Sequence, residues 1–254
     1  MSKVIIPLNA FDSNLVLDKG QAWFVKFIAQ SGAFGIEIRR ELFLNQDYKL
    51  EEIRNEIMKY NLFTVYSVPI ELWNENGMLN KEKLETVCKE AQVLRANWVK
   101  VPLGHYHKEK SSLSELKKFL SFNNGIQWFV ENDQTIYGGN VENLRLFFEE
   151  CSKLHIPVKM TFDIGNWYFT DQNIPFALSC LSEYVGYIHL KKVIPQDGLI
   201  TVPLDYDMDM EWAHILHQFP SNLERALEFP IALEDIQKYV NLVQLDLESS
   251  GKIL

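Results

Sequence analysis

The sequence predicts a (β/α)8 barrel, a fold in which eight parallel strands alternate with helices. Short β-branched or aromatic runs alternate along the chain with segments whose apolar residues recur every three or four positions. Eight such pairs fit into 254 residues, which matches a typical barrel of roughly 250 residues. The segment PLNAFDSN after the first run contains no glycine. The segment therefore lacks the glycine-rich phosphate-binding loop of dinucleotide-binding proteins. A doubly wound open sheet, which also alternates strands and helices, is the alternative fold.

Each predicted strand is a short run rich in apolar residues, as expected of parallel strands that are covered on both faces. Helical segments such as LEEIRNEIMKY and VENLRLFFEECSKL separate the strands and can cover them with one apolar face. We expect residues 1–254 to form one barrel domain. The predicted strands, in chain order, are Val4–Leu8, Gly35–Arg39, Phe63–Val68, Trp98–Pro102, Gln127–Glu131, Val158–Asp163, Gly186–Leu190 and Pro230–Glu234.

The composition excludes several classes of function. The chain has 25 basic and 34 acidic side chains, a net charge of −9, and no block of Lys or Arg. Proteins that bind nucleic acid through its phosphates need a basic surface, so we expect no nucleic-acid partner. An apolar content of 47% also excludes general disorder.

The cysteines and the first residues predict a cytoplasmic protein. Cys88, Cys151 and Cys180 are odd in number and far apart, as expected of free thiols in a reducing compartment. The segment MSKVIIPLNAFDSN has neither the apolar core nor the cleavage site of a signal peptide. No stretch reaches the roughly 18 apolar residues that a spanning helix needs, so we expect no membrane partner.

Ionisable residues stand at the ends of four consecutive predicted strands: Glu131, Asp163, His189 and Glu234. The carboxyl ends of barrel strands form the catalytic face. Clustered carboxylates in a partly dry site repel one another unless a cation holds them. We therefore predict one divalent metal ion, and the three carboxylates with one imidazole suit Mn²⁺, Mg²⁺, Co²⁺ or Zn²⁺.

A second group of polar residues is expected to line the same cavity. In FGIEIRREL, Glu37 and Arg39 alternate with Ile36 and Ile38, so burial of the isoleucines against helices would turn the charged side chains into the barrel. Two lysines near strand ends and one loop histidine could donate to substrate oxygens. The candidate substrate-binding residues from this reasoning are Glu37, Arg39, Lys100, His105 and Lys191.

Five motifs together resemble the strand-end motifs of the xylose isomerase-like TIM-barrel superfamily, the sugar phosphate isomerase/epimerase group. They are GIEIRRE at 35–41, VEND at 130–133, FDIGN at 162–166, IHLKK at 188–192 and ALED at 232–235. The likeness covers the whole chain through their order and spacing. Endonuclease IV shares this superfamily, but its trinuclear zinc site needs more strand-end histidines than this chain supplies, and a net charge of −9 opposes DNA approach.

The resemblance implies roles for particular residues. Glu131, Asp163, His189 and Glu234 would bind one divalent metal, and the two glutamates would also transfer protons. The sequence departs from the group at two positions: Asn166 stands where a histidine is frequent, and Lys192 stands where many relatives carry aspartate. Asn166 therefore joins the candidate substrate-binding residues.

Such a site would support proton abstraction next to a carbonyl. The leading hypothesis is a metal-dependent isomerase or epimerase of carbohydrate metabolism, acting on a small sugar, ketose or keto-polyol through an enediolate. One alternative is a metal-dependent dehydratase of an inosose-like or shikimate-like substrate. Another is a non-enzymatic sugar-binding barrel. Barrels of this size often form dimers, so the sequence is compatible with a homodimer.

Overall fold

Eight parallel strands close into a barrel in the computed structural model, which describes residues 3–44, 48–123, 125–205 and 211–250, without the side chains of 246–250. Each barrel strand pairs with its two neighbours, and the last strand closes the ring between the first and the seventh. This confirms the predicted (β/α)8 fold. The barrel strands are β1 Val4–Pro7, β2 Gly35–Arg39, β3 Phe63–Ser67, β4 Trp98–Pro102, β5 Gln127–Glu131, β6 Val158–Asp163, β7 Val185–Leu190 and β10 Glu224–Leu227.

Helices cover the outside of the barrel, and an antiparallel hairpin of β8 Lys192–Pro195 and β9 Leu199–Val202 follows β7. None of the described helices is long and apolar enough to cross a membrane. The helices are α1 Ser13–Lys19, α2 Gln21–Gln30, α3 Leu50–Tyr60, α4 Lys81–Leu94, α5 Leu113–Phe122, α6 Val141–Lys153, α7 Asn166–Phe169, α8 Ile174–Leu181, α9 Glu211–Leu216 and α10 Ile236–Ser250.

Side-chain caps explain where several of these helices begin. The Asn140 carboxamide oxygen accepts from the backbone N–H of Asn143 at the start of α6, and Asn173 does the same for Phe176 at the start of α8. Each cap satisfies a backbone donor that the helix leaves unpaired and contributes about 1 kcal/mol. α6 starts after the loop that follows β5, and α8 starts after the short helix α7 that follows β6, so both caps lie on the side of the barrel where the strands end.

Alternation along the strands divides the apolar residues into two layers. Residues such as Ile36 and Ile38 face outward and pack in the large core beneath the helices. A smaller cluster, here called the barrel floor, fills the interior with one side chain from each of five strands. Strand residues two positions further along point inward again, and these form the candidate site described below. The barrel floor consists of Ile5, Val65, Phe129, Tyr187 and Ala226.

The predicted bounds of the first seven strands differ from the observed bounds by at most one residue. The prediction of the eighth strand is wrong. The final barrel strand is Glu224–Leu227, and the predicted segment lies beyond it, where Leu233–Asp235 is a 3-10 helix. Pro230 cannot donate to a central ladder, which disfavours the predicted segment as a strand.

The observed strand was not predicted because it begins with the charged residues Glu224 and Arg225, whereas a buried strand is expected to be apolar. Both charges are compensated by nearby groups in the fold. The Lys3 ammonium lies 2.6 Å from Glu224 Oε1, and the Arg225 guanidinium donates to the backbone carbonyls of Pro220, Ser221 and Leu223. Charged residues can therefore occupy this central strand.

Candidate functional site

The inward-facing residues at the carboxyl ends of the barrel strands form one charged group, here called the mouth cluster. Its side chains come from β2, β4, β5, β6, β7 and the residues directly after β7 and β10. All of them are buried or nearly so. The mouth cluster consists of Glu37, Arg39, Lys100, Glu131, Asp163, His189, Lys191 and Glu228.

Four members of the mouth cluster have the geometry of a metal site. Glu131, Asp163, His189 and Glu228 each offer one ligand atom, and these atoms all lie within 4.8 Å of one another. Three of the four are residues that the sequence singled out. The fourth is Glu228 and not Glu234, because the last barrel strand ends at Leu227, seven residues before the predicted end; Glu234 is exposed in the 3-10 helix.

Three carboxylates lie within 3.2 Å of His189, and Asp163 lies 3.8 Å away. The His189 Nδ1 atom is 2.7 Å from Glu228 Oε2 and 3.2 Å from Glu131 Oε1, and its Nε2 atom is 3.1 Å from Glu37 Oε2. Burial and the Lys100 charge lower the pKa of the imidazole, but the three carboxylates outweigh them and raise the pKa to about 9. The imidazole is therefore positively charged in this arrangement, and metal ligation would require its proton to leave.

Lys100 joins Glu131 to Glu37. Its Nζ atom lies 2.7 Å from Glu131 Oε1 and 3.2 Å from Glu37 Oε1. Glu37 also accepts a hydrogen bond from the Tyr187 hydroxyl at 2.8 Å. Burial alone would raise the pKa of Glu37, but the charges of Lys100 and His189 hold it below its usual range. Glu37 is therefore a fixed anion that connects the mouth cluster to the barrel floor.

Lys191 makes the corresponding contacts on the other side of the mouth cluster. Its Nζ atom is 2.9 Å from Asp163 Oδ2, 3.2 Å from Glu228 Oε2 and 3.1 Å from Asn166 Oδ1. Burial raises the pKa of Asp163 above its usual range, and the Glu228 charge adds to this, although Lys191 opposes both. Asn166 thus contacts the mouth cluster through Lys191. Its predicted role in substrate binding stays a prediction.

Glu228, like Glu37, is contacted by four donor side chains. The Asn9 amide donates to its Oε1 atom at 2.6 Å, and the Arg39 guanidinium lies 3.3 Å from the same oxygen. His189 and Lys191 contact its Oε2 atom, as described above. Burial opposes the charge, but Lys191 and His189 keep the pKa of Glu228 well below its usual range. Glu228 was missed in the sequence analysis. The signal that could have found it is the spacing of Glu224, Ala226 and Glu228, which at every second position share one face of a strand.

His105 lies in the loop after β4, and its described contacts are with Tyr137 and Glu71, which are not part of the mouth cluster. Its ring stacks on Tyr137 with 3.7 Å between ring centroids, and its Nε2 atom is 3.9 Å from Glu71 Oε2. A role for His105 in substrate binding therefore stays a prediction. The predicted residues that the structure does bring together are Glu37, Arg39, Lys100, Glu131, Asp163, Asn166, His189 and Lys191.

A cavity of about 210 Å³ borders the mouth cluster on the Lys191 side. Tyr168 and Trp212 line it together with Lys191 and the start of the β8–β9 hairpin. The cavity therefore combines aromatic surface with polar groups, which is the usual character of a small-ligand site.

The residues present fit a divalent ion. Ions of this kind bind carboxylate oxygens and imidazole nitrogens at about 2.0–2.2 Å, and ligands on opposite sides of such an ion lie about 4 Å apart. The four candidate ligand atoms all lie within 4.8 Å of one another, so small side-chain movements would bring them to these distances. Asp163 Oδ2 is also buried and receives no hydrogen bond of ordinary geometry, although the Lys191 ammonium is 2.9 Å away. An oxygen in this state is suited to metal ligation.

Neither a protein-family model nor a curated protein matches this chain. Solved structures match it over nearly its whole length. The structure of an L-ribulose 3-epimerase has a TM-score of 0.67 at 11% sequence identity, with 99% of this chain and 96% of that chain covered. Structural neighbours also include a sugar phosphate isomerase/epimerase. The chain shares the (β/α)8 barrel fold of these structures, which are of the kind that the strand-end motifs indicated.

Two further neighbours show how varied this fold is. IolI with a bound zinc atom has a TM-score of 0.65 at 12% identity, with 98% of each chain covered. Endonuclease IV from Thermus thermophilus has a TM-score of 0.65 at 17% identity, with 97% of this chain and 99% of that chain covered. Because the same barrel carries different chemistries, the reaction must be argued from the mouth cluster.

Proposed function

We propose that the protein is a divalent-metal-dependent isomerase or epimerase of carbohydrate metabolism, acting on a small sugar, ketose or keto-polyol. The observation that carries the proposal is the group of Glu131, Asp163, His189 and Glu228 at the catalytic end of the barrel. The fold shared with sugar epimerases supports the same class. A bound divalent ion would supply stabilisation of the negative charge that develops on substrate oxygens during proton abstraction.

Glu131 and Glu228 are the proposed proton-transfer pair. They approach from β5 and from the end of β10, which β6 and β7 separate in the barrel, so they can act on different sides of a bound substrate. The described contacts of Glu131 are made by Oε1, with Lys100 and His189, which leaves Oε2 to take a proton. Glu228 is held by donors on both oxygens, which favour its charged form.

The charge pairing within the mouth cluster favours a neutral substrate. Arg39, Lys100 and Lys191 each already contact at least one carboxylate. A substrate with its own carboxylate would have to compete with these internal acids for the same cations. Hydroxyl and carbonyl oxygens of a sugar or polyol need only hydrogen bonds, which Lys191 can provide at the edge of the cavity.

Water elimination is the second candidate reaction at this site. It uses the same proton abstraction but lets a β-hydroxyl leave, and the Lys191 ammonium beside the cavity is placed to protonate such a group. This reaction would make the protein a dehydratase of an inosose-like substrate.

The test is a screen of keto-sugars and keto-polyols in heavy water with protein loaded with Mn²⁺, Mg²⁺, Co²⁺ or Zn²⁺. Solvent deuterium at the carbon next to the carbonyl, in a product that has kept all its oxygens, supports the isomerase or epimerase. A product lighter by one water supports the dehydratase. If no substrate exchanges deuterium and the protein still binds sugars, both reactions are excluded in favour of a sugar-binding barrel.

A further inference from the structure

The Lys191 ammonium contacts two of the four candidate metal ligands. It lies 2.9 Å from Asp163 Oδ2 and 3.2 Å from Glu228 Oε2, which belong to the group that could hold a metal. Lys191 is 8% exposed, so water screens these contacts little. An ammonium and a divalent ion both need the lone pairs of these carboxylates, and the two cations repel each other at such distances.

A third oxygen completes the surroundings of the ammonium. Asn166 Oδ1 lies 3.1 Å from Lys191 Nζ. The orientation of this amide is set by its other end, because Asn166 Nδ2 donates to the Asn132 backbone carbonyl at 2.8 Å. The Asn166 backbone N–H also donates to Asp163 Oδ1 at 2.9 Å. Two of the side chains around Lys191, Asp163 and Asn166, are therefore held in place by backbone hydrogen bonds, while Glu228 is held by the Asn9 and Arg39 side chains.

Gly165 makes room for the Lys191 side chain. A Cβ atom at position 165 would lie 2.5 Å from both Cγ and Cδ of Lys191, which is too close for any carbon contact. The backbone at Gly165 has φ −75° and ψ −27°, a conformation that every residue adopts. Glycine is therefore needed at position 165 to leave space for the aliphatic part of Lys191, and not because of its backbone conformation.

We propose that Lys191 is a tethered cation that competes with the divalent ion for Asp163 and Glu228. Metal binding then requires the ammonium to leave these two carboxylates and turn towards the neighbouring cavity, which Lys191 already borders. There it would face substrate oxygens. This inference rests on the metal site of the proposed function, and it makes Lys191 a residue that lowers metal affinity.

Two other lysines give an internal scale for this effect. Lys100 contacts a single candidate ligand, Glu131, so its competition with the metal should be weaker than that of Lys191. Lys192 is next to Lys191 in the chain but forms its ion pair with Asp205 at 2.6 Å. Lys192→Met therefore removes the same charge from the same segment without freeing a candidate ligand, and it serves as the matched control.

The experiment is a calorimetric titration of metal-stripped protein with Mn²⁺ alone. Lys191→Met should bind Mn²⁺ at least about tenfold more tightly than wild type, because one nearby positive charge is removed from a poorly screened site. Lys192→Met should stay within about threefold of wild type, since its charge is more distant and solvated. Unchanged or weaker binding by Lys191→Met would overturn the inference.

Gly165→Ala tests the same point while keeping every charge. The added methyl group displaces the Lys191 stem, so Mn²⁺ binding should tighten, though less than in Lys191→Met. In the double variant, Gly165→Ala should add nothing to Lys191→Met, because both changes act through the same ammonium. A methyl group that still tightens binding in the absence of Lys191 would contradict the proposed competition.

Asp163→Asn separates failure of this inference from failure of the proposed function. If Asp163→Asn abolishes Mn²⁺ binding and Lys191→Met leaves it unchanged, the metal site stands and the role of Lys191 is wrong. If the double variant Lys191→Met, Asp163→Asn binds Mn²⁺ as tightly as Lys191→Met alone, the ion lies elsewhere and both proposals fall. Both also fall if none of the variants binds Mn²⁺.

Discussion

The floor and the mouth of the barrel are built by the same strands, yet they bury opposite kinds of side chain. On β5, Phe129 lies in the floor and Glu131 follows two residues later in the mouth; on β7, Tyr187 and His189 have the same relationship. Successive inward positions are only about 6–7 Å apart along a strand. The environment therefore changes from apolar to ionic within a single inward step.

The difference shows how stability and chemistry are divided. The floor removes apolar surface from water, which stabilises the fold. The mouth buries four carboxylates, and pairing with Lys, Arg and His offsets only part of their loss of hydration. The Tyr187 hydroxyl, which donates to Glu37 at 2.8 Å, fixes the polar layer to the apolar one. We expect substitutions in the floor to change stability and substitutions in the mouth to change metal binding and turnover.

Glu131→Gln should have the largest effect on activity. The amide keeps the shape of the side chain but cannot accept the substrate proton, so turnover should fall by about 100- to 10,000-fold. The variant should fold normally, as judged by circular dichroism. Turnover within a few-fold of wild type, in the heavy-water assay with an identified substrate, would exclude Glu131 as the base.

Phe129→Ala should have the largest effect on stability. Phe129 is fully buried, and its ring centroid lies 4.4 Å from that of Trp98. Loss of the ring should lower the free energy of unfolding by about 3–5 kcal/mol, measured by urea denaturation. The Mn²⁺ affinity of the folded protein should stay close to that of wild type. A large loss of metal affinity at unchanged stability would contradict the division between floor and mouth.

Glu228→Gln and Glu234→Gln form a matched pair that tests the corrected end of the barrel. Removal of the Glu228 charge should weaken Mn²⁺ binding by at least about tenfold, because one anionic ligand is lost. Glu234 is exposed in the 3-10 helix, so Glu234→Gln should leave affinity and melting temperature nearly unchanged. Calorimetric titration and thermal melting of both variants check this pair, and the reverse pattern would restore Glu234 as the ligand.

Most of the fold could be predicted because seven barrel strands follow simple rules. Gln127–Glu131 is an apolar run that ends in a charged residue, and the observed β5 has the same bounds. The final strand breaks these rules, since Glu224 and Arg225 are stabilised by Lys3 and by carbonyls of the preceding turn. Such compensation depends on tertiary contacts that no local pattern contains.

The sequence predicts which residues lie in the site better than it predicts the contacts between them. Asp163 and His189 were recognisable as strand-end residues, and they pair across β6 and β7 in the structure. The contacts of Lys100 with Glu131 and of Lys191 with Asp163 depend on strand register and on the path of each side chain past Gly165 and similar positions. These details follow only from the packed barrel.

The most direct test of the metal site is metal content by inductively coupled plasma mass spectrometry. Wild type and the double variant His189→Ala, Asp163→Ala would be purified from the same metal-replete medium. We expect about one divalent ion per wild-type chain and none in the variant, because the variant lacks two of the four ligands. The account is contradicted if neither protein holds metal and added Mn²⁺ fails to raise the melting temperature of wild type.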